Sequence, residues 1–339
     1  MGDVALTLPV LRGFLNTYTN SKITIVTRKN FSPFFENIER LEIFSPDFSG
    51  RHKGFFGIFR LFHDLQKIFH PDYIIDLHSV LRTHILCLFY RIGGIPSKKL
   101  FKERKKKNAA LKLPGEPGFI HSTERYCNVF SEAGFNFEIA SGNLFGNHTG
   151  EDLVVHQFIS SHTISNLNFI GIAPFAKHNL KIYPEQKLYD LVRLLSDQPF
   201  EIFLFGGGKT EIEKLTRIAG KFINAHVVRL NLSTELELIK KLRLMISMDS
   251  ANMHMAALAG IPVISIWGAT HPGMGFAPVN QPSENSIQIP VSKLDCRPCT
   301  IYGKGECRRG DFACMNLISA EQIMQRVMEI ISPNHQGIK

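Results

Sequence analysis

From Leu244 to Pro272 the chain passes through an apolar strand, an acidic turn, a helix of small residues, a Gly-Ile-Pro break, a second apolar strand and a Gly-rich turn. Two such strands joined by a crossover helix are the repeating unit of an open parallel α/β sheet. In that architecture ligands bind beyond the carboxyl ends of the strands. Here two strand ends deliver Asp249-Ser250 and Gly268-Ala269-Thr270 to the same edge. Asp249 and Ser250 also stand where a helix begins, so free backbone N–H groups and the positive end of its dipole point to that edge. An anionic ligand is the natural occupant. The plainer reading is that Asp249 and Ser250 only cap the helix, as these residue types often do.

The same alternation runs through the chain and predicts βαβ units throughout. Strands are expected near Lys22–Thr27, Leu41–Ser45, Tyr73–Leu77 and Lys98–Phe101. Further strands are expected near Asn168–Ala173, Glu201–Phe205, His226–Arg229, Leu244–Met248, Pro262–Trp267 and Ser286–Pro290. Helices fall between them, notably around Pro184–Leu195 and Thr210–Lys221. A chain of 339 residues exceeds what one core usually fills, so two domains are expected. The polar, weakly periodic stretch Ser141–Asn166 is where they should part, giving residues 1–150 and 165–330.

Five ordered blocks together resemble the heptosyltransferases, glycosyltransferase family 9. Met248–Ala257, with Asp249, Ser250, Met253 and His254, is similar to the family's Asp-Ser/Thr-Gly-x-x-His-x-Ala-Ala signature, and Gly268–Pro272 to its Gly-x-Thr-x-Pro turn. Ala251, Asn252 and Ala269 depart from the residues more frequent there. Gly2–Leu11 looks like the family's Gly-Asp loop and first helix, and Asp72–Ser79 with Leu81-Arg82 resembles a second N-terminal motif. Gly171–Ala176 followed by Lys181-Ile182-Tyr183-Pro184 resembles the Pro-Gly-Ala and Lys-x-Trp-Pro elements, with Tyr183 at the Trp position. Phe203–Gly208 with Glu211 matches the strand and glycine turn that follow.

The resemblance implies a GT-B fold, two Rossmann-like domains facing a central cleft, with acceptor bound by the first and nucleotide sugar by the second. It implies transfer of a sugar, a heptose in the family, from a nucleotide-diphosphate donor such as ADP-heptose to a lipopolysaccharide core or related glycolipid. Asp3 is then the base for the acceptor hydroxyl. Lys181, Glu211, Asp249, Ser250, Met253, His254, Gly268 and Thr270 are then the donor contacts. No cofactor and no metal at the reaction centre are expected. Relatives have an apolar strand immediately before the Gly-Asp loop, and here Met1 directly precedes it. The first strand is therefore expected to be missing from this chain, either because translation starts upstream, the preferred reading, or because the N-terminal domain is rearranged and inactive. The reading from another class is a non-catalytic sugar-nucleotide or polyanion-binding protein.

Lys and Arg number 39 against 30 Asp and Glu, a net charge of +9 that favours anionic partners. The excess gathers at Lys98-Lys99, Lys102 and Arg104-Lys105-Lys106-Lys107. That run is either a solvated loop or the contact for an anionic glycolipid acceptor. Zinc-finger spacing and aromatic-interleaved RNA-binding signatures are absent, so nucleic acid is not expected. No segment approaches the roughly 18 apolar residues of a membrane helix, and no signal peptide is seen. A cytoplasmic protein peripheral to the inner face of the membrane is expected; oligomeric state is left open. In Gly54–Phe62, Phe55, Phe59 and Phe62 share a helical face beside Arg51, Lys53 and Arg60. That face reads as core, with lipid-headgroup contact as the alternative. Cys296, Cys299, Cys307 and Cys314 form C-x2-C-x7-C-x6-C, a spacing open to a structural metal, free thiols or disulfides.

Overall fold

The computed structural model describes residues 1–113, 115–162 and 168–332. The chain divides into two compact units. The first contains Asp3–Arg104 and His121–Asn147; the second contains Lys105–Ile120 and the chain from His148 on.

In the first unit the strands are β1 (Ile23–Val26), β2 (Leu41–Phe44), β3 (Ile74–Asp76) and β4 (Ser97–Lys99). They form two separate parallel pairs, β1 with β2 and β3 with β4, and among the described residues no strand joins one pair to the other. The helices are α1 (Gly2–Ala5), α2 (Leu8–Thr17), α3 (Gly54–Ile68), α4 (Leu81–Ile92), α5 (Arg104–Ala110), whose later residues belong to the second unit, and α6 (Ser122–Ser131). α2 buries Leu8, Val10, Leu11, Phe14 and Leu15. Phe14 meets Phe130 and Phe135 at 5.5 Å between ring centroids, so aromatic packing ties α2 to α6.

The buried stripe of α3 is Ile58, Leu61 and Leu65, of which Leu61 and Leu65 pack with Tyr90 of α4. This corrects the expectation that Phe55 and Phe59 are core, whereas Phe62, the third residue of that face, is half-buried against Tyr90 at 5.0 Å between ring centroids. Phe55 is 64% and Phe56 78% exposed, and Phe59 is exposed as well. Leu81, Leu88 and Ile92 on the neighbouring α4 are also exposed. Two apolar stripes compete on α3, and the aliphatic one, with Phe62 beside it, faces inward.

The second unit carries α7 (Thr149–His162), β5 (Asn168–Ala173), α8 (Glu185–Ser196), β6 (Phe200–Leu204), α9 (Gly208–Ala219) and β7 (Ala225–Val227). There follow α10 (Leu232–Lys240), β8 (Leu244–Met248), α11 (Ala251–Leu258), β9 (Val263–Trp267), β10 (Ser286–Gln288), α12 (Ala313–Asn316) and α13 (Ala320–Ile331). Of the expected boundary stretch, Thr149–His162 is helical, and residues 163–166 lie outside the described residues.

Six parallel strands stand in the order β10-β9-β8-β5-β6-β7. Renumbered within this unit, that is the 3-2-1-4-5-6 order of a doubly wound nucleotide-binding sheet read from the other edge. β6, β8 and β9 are buried at every position, which is why each reads as an unbroken apolar run rather than an alternating one. The small residues Ala256, Ala257 and Ala259 let the chain of α11 lie close on β8 and β9. Gly260, in the left-handed conformation at φ 76°, and then Pro262 stop that helix and turn the chain into β9.

Candidate functional site

Strands β5 and β8 are neighbours whose crossovers leave in opposite directions, so the crevice beyond their carboxyl ends is the topological switch point of the sheet. Lys181 stands in the loop after β5, and Asp249 and Ser250 follow β8 directly. The structure brings Lys181 and Asp249 together: Nζ lies 2.7 Å from Oδ2, with both side chains largely buried. The same ammonium donates to the Asp249 carbonyl at 3.3 Å. Gly303 closes against the methylenes of Lys181, where a Cβ would come within 2.6 Å of its Cγ. Lys181 is thus a positioned cation.

Ser250 is the N-cap residue of α11 in extended conformation, yet its side chain makes no cap bond. Its hydroxyl instead shares a hydrogen bond with Ser247, 3.1 Å away. The first-turn N–H groups of α11 therefore receive no Ser250 oxygen and remain suited to an anion. Met253 and His254 are both buried one turn further on. Glu211, after β6, accepts from the Gly207 amide at 2.7 Å, so its carboxylate closes the start of its own helix.

After β9, Gly268 is needed for close approach: a Cβ there would lie 2.8 Å from Met315 Cε and 3.1 Å from the Leu180 carbonyl. Thr270 is 1% exposed, and its hydroxyl has no partner among the described residues. The carbonyls of this turn are all engaged from one side. Arg297 donates to the Gly268 oxygen at 2.5 Å and to the Thr270 oxygen at 2.9 Å. The amides of Cys299 and Thr300 donate to the Ala269 oxygen at 3.1 and 3.3 Å. Arg297 went unnoticed in the sequence because it stands inside the cysteine motif. Position alone does not reveal a backbone clasp.

The four C-terminal cysteines line one small cavity together with Arg297. They are free thiols, and among the described residues no group of three or more His, Cys, Asp or Glu is placed to hold a metal ion. Burial pushes the Cys314 thiol up to about 11, against the pull of Arg297.

In the first unit, Asp3 lies exposed within α1 rather than in a loop. Asp3 and Asp76 act electrostatically on both His78 and Lys102, so these four groups share one corner of that unit. Asp76 is buried and fully used: it accepts from the His78 and Ser79 amides at 3.0 and 2.8 Å and from the Thr83 hydroxyl at 2.7 Å. It therefore fixes the turn from β3 into α4 and leaves Asp3 as the accessible carboxylate. Desolvation, with Lys102 and Arg28, holds His78 below the usual imidazole value, against Asp76 and Asp3.

The basic run divides. Arg104, Lys105 and Lys106 are exposed. Lys107, expected with them to meet the acceptor, is only 2% exposed. Its ammonium donates to the Met274 carbonyl at 2.5 Å and sits 4.3 Å from the Phe276 ring centroid and 5.3 Å from that of Phe119. Lys107 is an internal fastener of the second unit, not a surface contact.

The sheet order defines the second unit as one of the doubly wound, Rossmann-like class. Residues 60–306 match the family model of glycosyltransferase family 9 (heptosyltransferase), and the chain belongs to that family. Lipopolysaccharide heptosyltransferase 1 of Pseudomonas aeruginosa is 29% identical over 130 residues, 38% of this chain and 37% of that protein. A family 9 glycosyltransferase from Veillonella parvula superposes with a TM-score of 0.77 at 18% identity, covering 97% of this chain and 93% of that one. E. coli heptosyltransferase WaaC with ADP superposes at 0.68, also 18% identical, with 97% of each chain covered. The fold is that of these GT-B enzymes.

Proposed function

We propose that the protein transfers a heptose from ADP-heptose to a lipopolysaccharide core or related glycolipid. The observation that carries this reading is the Lys181–Asp249 pair at the switch point of a family 9 sheet, with the Ser250 helix start and the Gly268–Thr270 turn on the strand ends beside it. The solved WaaC structures with ADP and with ADP-2-deoxy-2-fluoro heptose support the choice of donor.

In the reaction, the bond from the anomeric carbon to the β-phosphate oxygen breaks and a bond to the acceptor oxygen forms. The acceptor's proton passes to the Asp3 carboxylate, and the electron pair of the broken bond stays on ADP. In this reading Lys181, the first turn of α11 and the 268–270 turn meet the charge that develops there, which is where fixed positive groups lower a barrier most. His254 and Met253 line the donor side, and Glu211 is placed for a ribose or sugar hydroxyl once it leaves the Gly207 amide.

The acceptor is a membrane lipid, and the second part of the reading is docking at the inner membrane face through the first unit. Exposed Phe55, Phe56 and Phe59 beside Lys53 and Arg60 suit a headgroup surface. No helix among the described residues is long and apolar enough to cross a membrane. The test is direct: the protein, ADP-heptose and a core lipid lacking heptose should give ADP release coupled to a heptose-sized mass increase. ADP-heptose left intact beside a competent acceptor would overturn the reading.

A further inference from the structure

Arg297 is buried, at 3% exposure, and among the described residues it forms no ion pair with a carboxylate. Its guanidinium is instead surrounded by carbonyl-type oxygens: those of Gly268, Thr270, Ile289 and the Gln288 side chain. Burying a cation without a paired carboxylate is costly, and the carboxylate that acts on Arg297, Glu116, does so without forming an ion pair.

The C=O and N–H of a trans peptide point in opposite directions. Drawing the carbonyls of residues 268–270 toward Arg297, Cys299 and Thr300 therefore aims the attached amides the other way. The Ala269 amide is taken by the Leu180 carbonyl at 3.4 Å. The next two, Thr270 N–H and His271 N–H, donate to nothing among the described residues. Two buried side-chain groups beside them are also unpartnered there, the Thr270 hydroxyl and His271 Nε2. His271 Nδ1 accepts from the Gly273 amide at 3.0 Å, so the neutral ring carries its proton on Nε2 as a further donor.

We propose that Arg297 is a positioning residue for the donor's diphosphate, acting through the peptide groups of residues 268–270. It fixes the turn so that its free amides face an anion, and its buried charge, not ion-paired to a carboxylate, polarises those amides in a low-dielectric setting. The inference rests on the donor reading above and adds to it the group behind the turn. The Cys296–Cys314 segment thereby gains a role, which is to hold the clasp of Arg297, Cys299 and Thr300 against the turn.

The test compares ADP with adenosine by calorimetry for the wild-type chain, R297M, R297Q and R297K. Removing the charge should weaken ADP about tenfold and adenosine by less than about twofold, with R297K between wild type and R297M. A merely structural role would lower both affinities together, and that result, or unchanged ADP binding, overturns the proposal. Should the neutral variants not fold, selectively 15N-labelled threonine and histidine in wild type and R297K carry the test. The Thr270 and His271 amide protons should move downfield with ADP and not with adenosine, and move less in R297K. Amides that ignore the diphosphate refute the inference. Wild-type protein that binds ADP no better than adenosine refutes the donor reading itself, whereas loss of ADP binding in K181A with R297M unaffected refutes only the role of Arg297.

Discussion

Lys181 Nζ lies 2.7 Å from Asp249 Oδ2, and this ion pair spans the loops that follow β5 and β8 at the point where the sheet reverses its winding. The pair does two jobs that mutation can separate. It neutralises a nearly buried carboxylate, and in the proposed reading it holds an ammonium for the donor's diphosphate.

Lys181→Ala should therefore lower stability by about 3 kcal/mol, because Asp249 is left buried without its cation. It should also weaken ADP binding by about 1–3 kcal/mol, the range for a charge-assisted contact. Lys181→Met with Asp249→Asn removes the stranded charge, so thermal stability should largely return while ADP affinity stays low. Calorimetry on the double variant decides the matter: recovered ADP binding would mean that Lys181 serves the fold alone.

Burial raises the Glu235 carboxyl, near the start of α10, to about 7. A carboxyl whose folded value is raised binds a proton in the native state that the unfolded chain has already released. Stability should then fall as pH rises from about 4.5 to 7 and stay level above. Glu235→Gln removes that slope and should stabilise the protein by about 1–2 kcal/mol at pH 8, with little change at pH 4.5. Urea denaturation at both pH values checks this, and an equal effect at the two would refute the assignment.

The strands were legible in advance because both faces of the second unit's sheet are covered, so each strand is written as an apolar run. Asn168–Ala173 and Leu244–Met248 fall where expected, and the other strands begin or end within a few residues of expectation. Lys181 and Asp249 were legible as a motif, but their mutual contact depends on the β5–β8 pairing that only the fold supplies. Lys107 was not legible. A lysine in a run of four basic residues looks solvated, and what buries it is Met274 and Phe276, distant in sequence. The spacing of Phe55 and Phe59 could not tell the inward stripe of α3 from the outward one, since Ile58, Leu61 and Leu65 have equal claim.

That division of the basic run predicts a split between neighbouring lysines. Replacing Arg104, Lys105 and Lys106 by Gln should raise the acceptor KM several-fold at low ionic strength and leave donor affinity alone. The effect should fade toward 0.1 M salt, where exposed charges are screened beyond roughly 10 Å. Lys107→Met should leave acceptor KM and its salt dependence unchanged. It should instead lower stability by about 1–3 kcal/mol, through the unpaired Met274 carbonyl and the lost contact with Phe276. A salt-dependent rise in acceptor KM for Lys107→Met would contradict its internal role.

The exposed rings of α3 give the last prediction. Phe55 and Phe56 present large apolar surface to solvent, while Ile58, Leu61 and Leu65 hold α3 in its core. Arg51 is engaged with Asp64, both of whose oxygens it meets at 2.5 and 2.6 Å, so the flanking cations that remain for a headgroup are Lys53 and Arg60. Replacing Phe55, Phe56 and Phe59 by Ser should then cost the fold little, because no buried ring is lost. Inserting one such ring into a headgroup layer is worth about 1–3 kcal/mol, so affinity for vesicles containing anionic lipid should drop at least tenfold. Lys53→Gln with Arg60→Gln should weaken the same binding only at low salt, since their contribution is screened whereas apolar insertion is not. Vesicle co-sedimentation read beside thermal unfolding tests both. Binding that survives loss of all three rings places the membrane contact elsewhere on the chain.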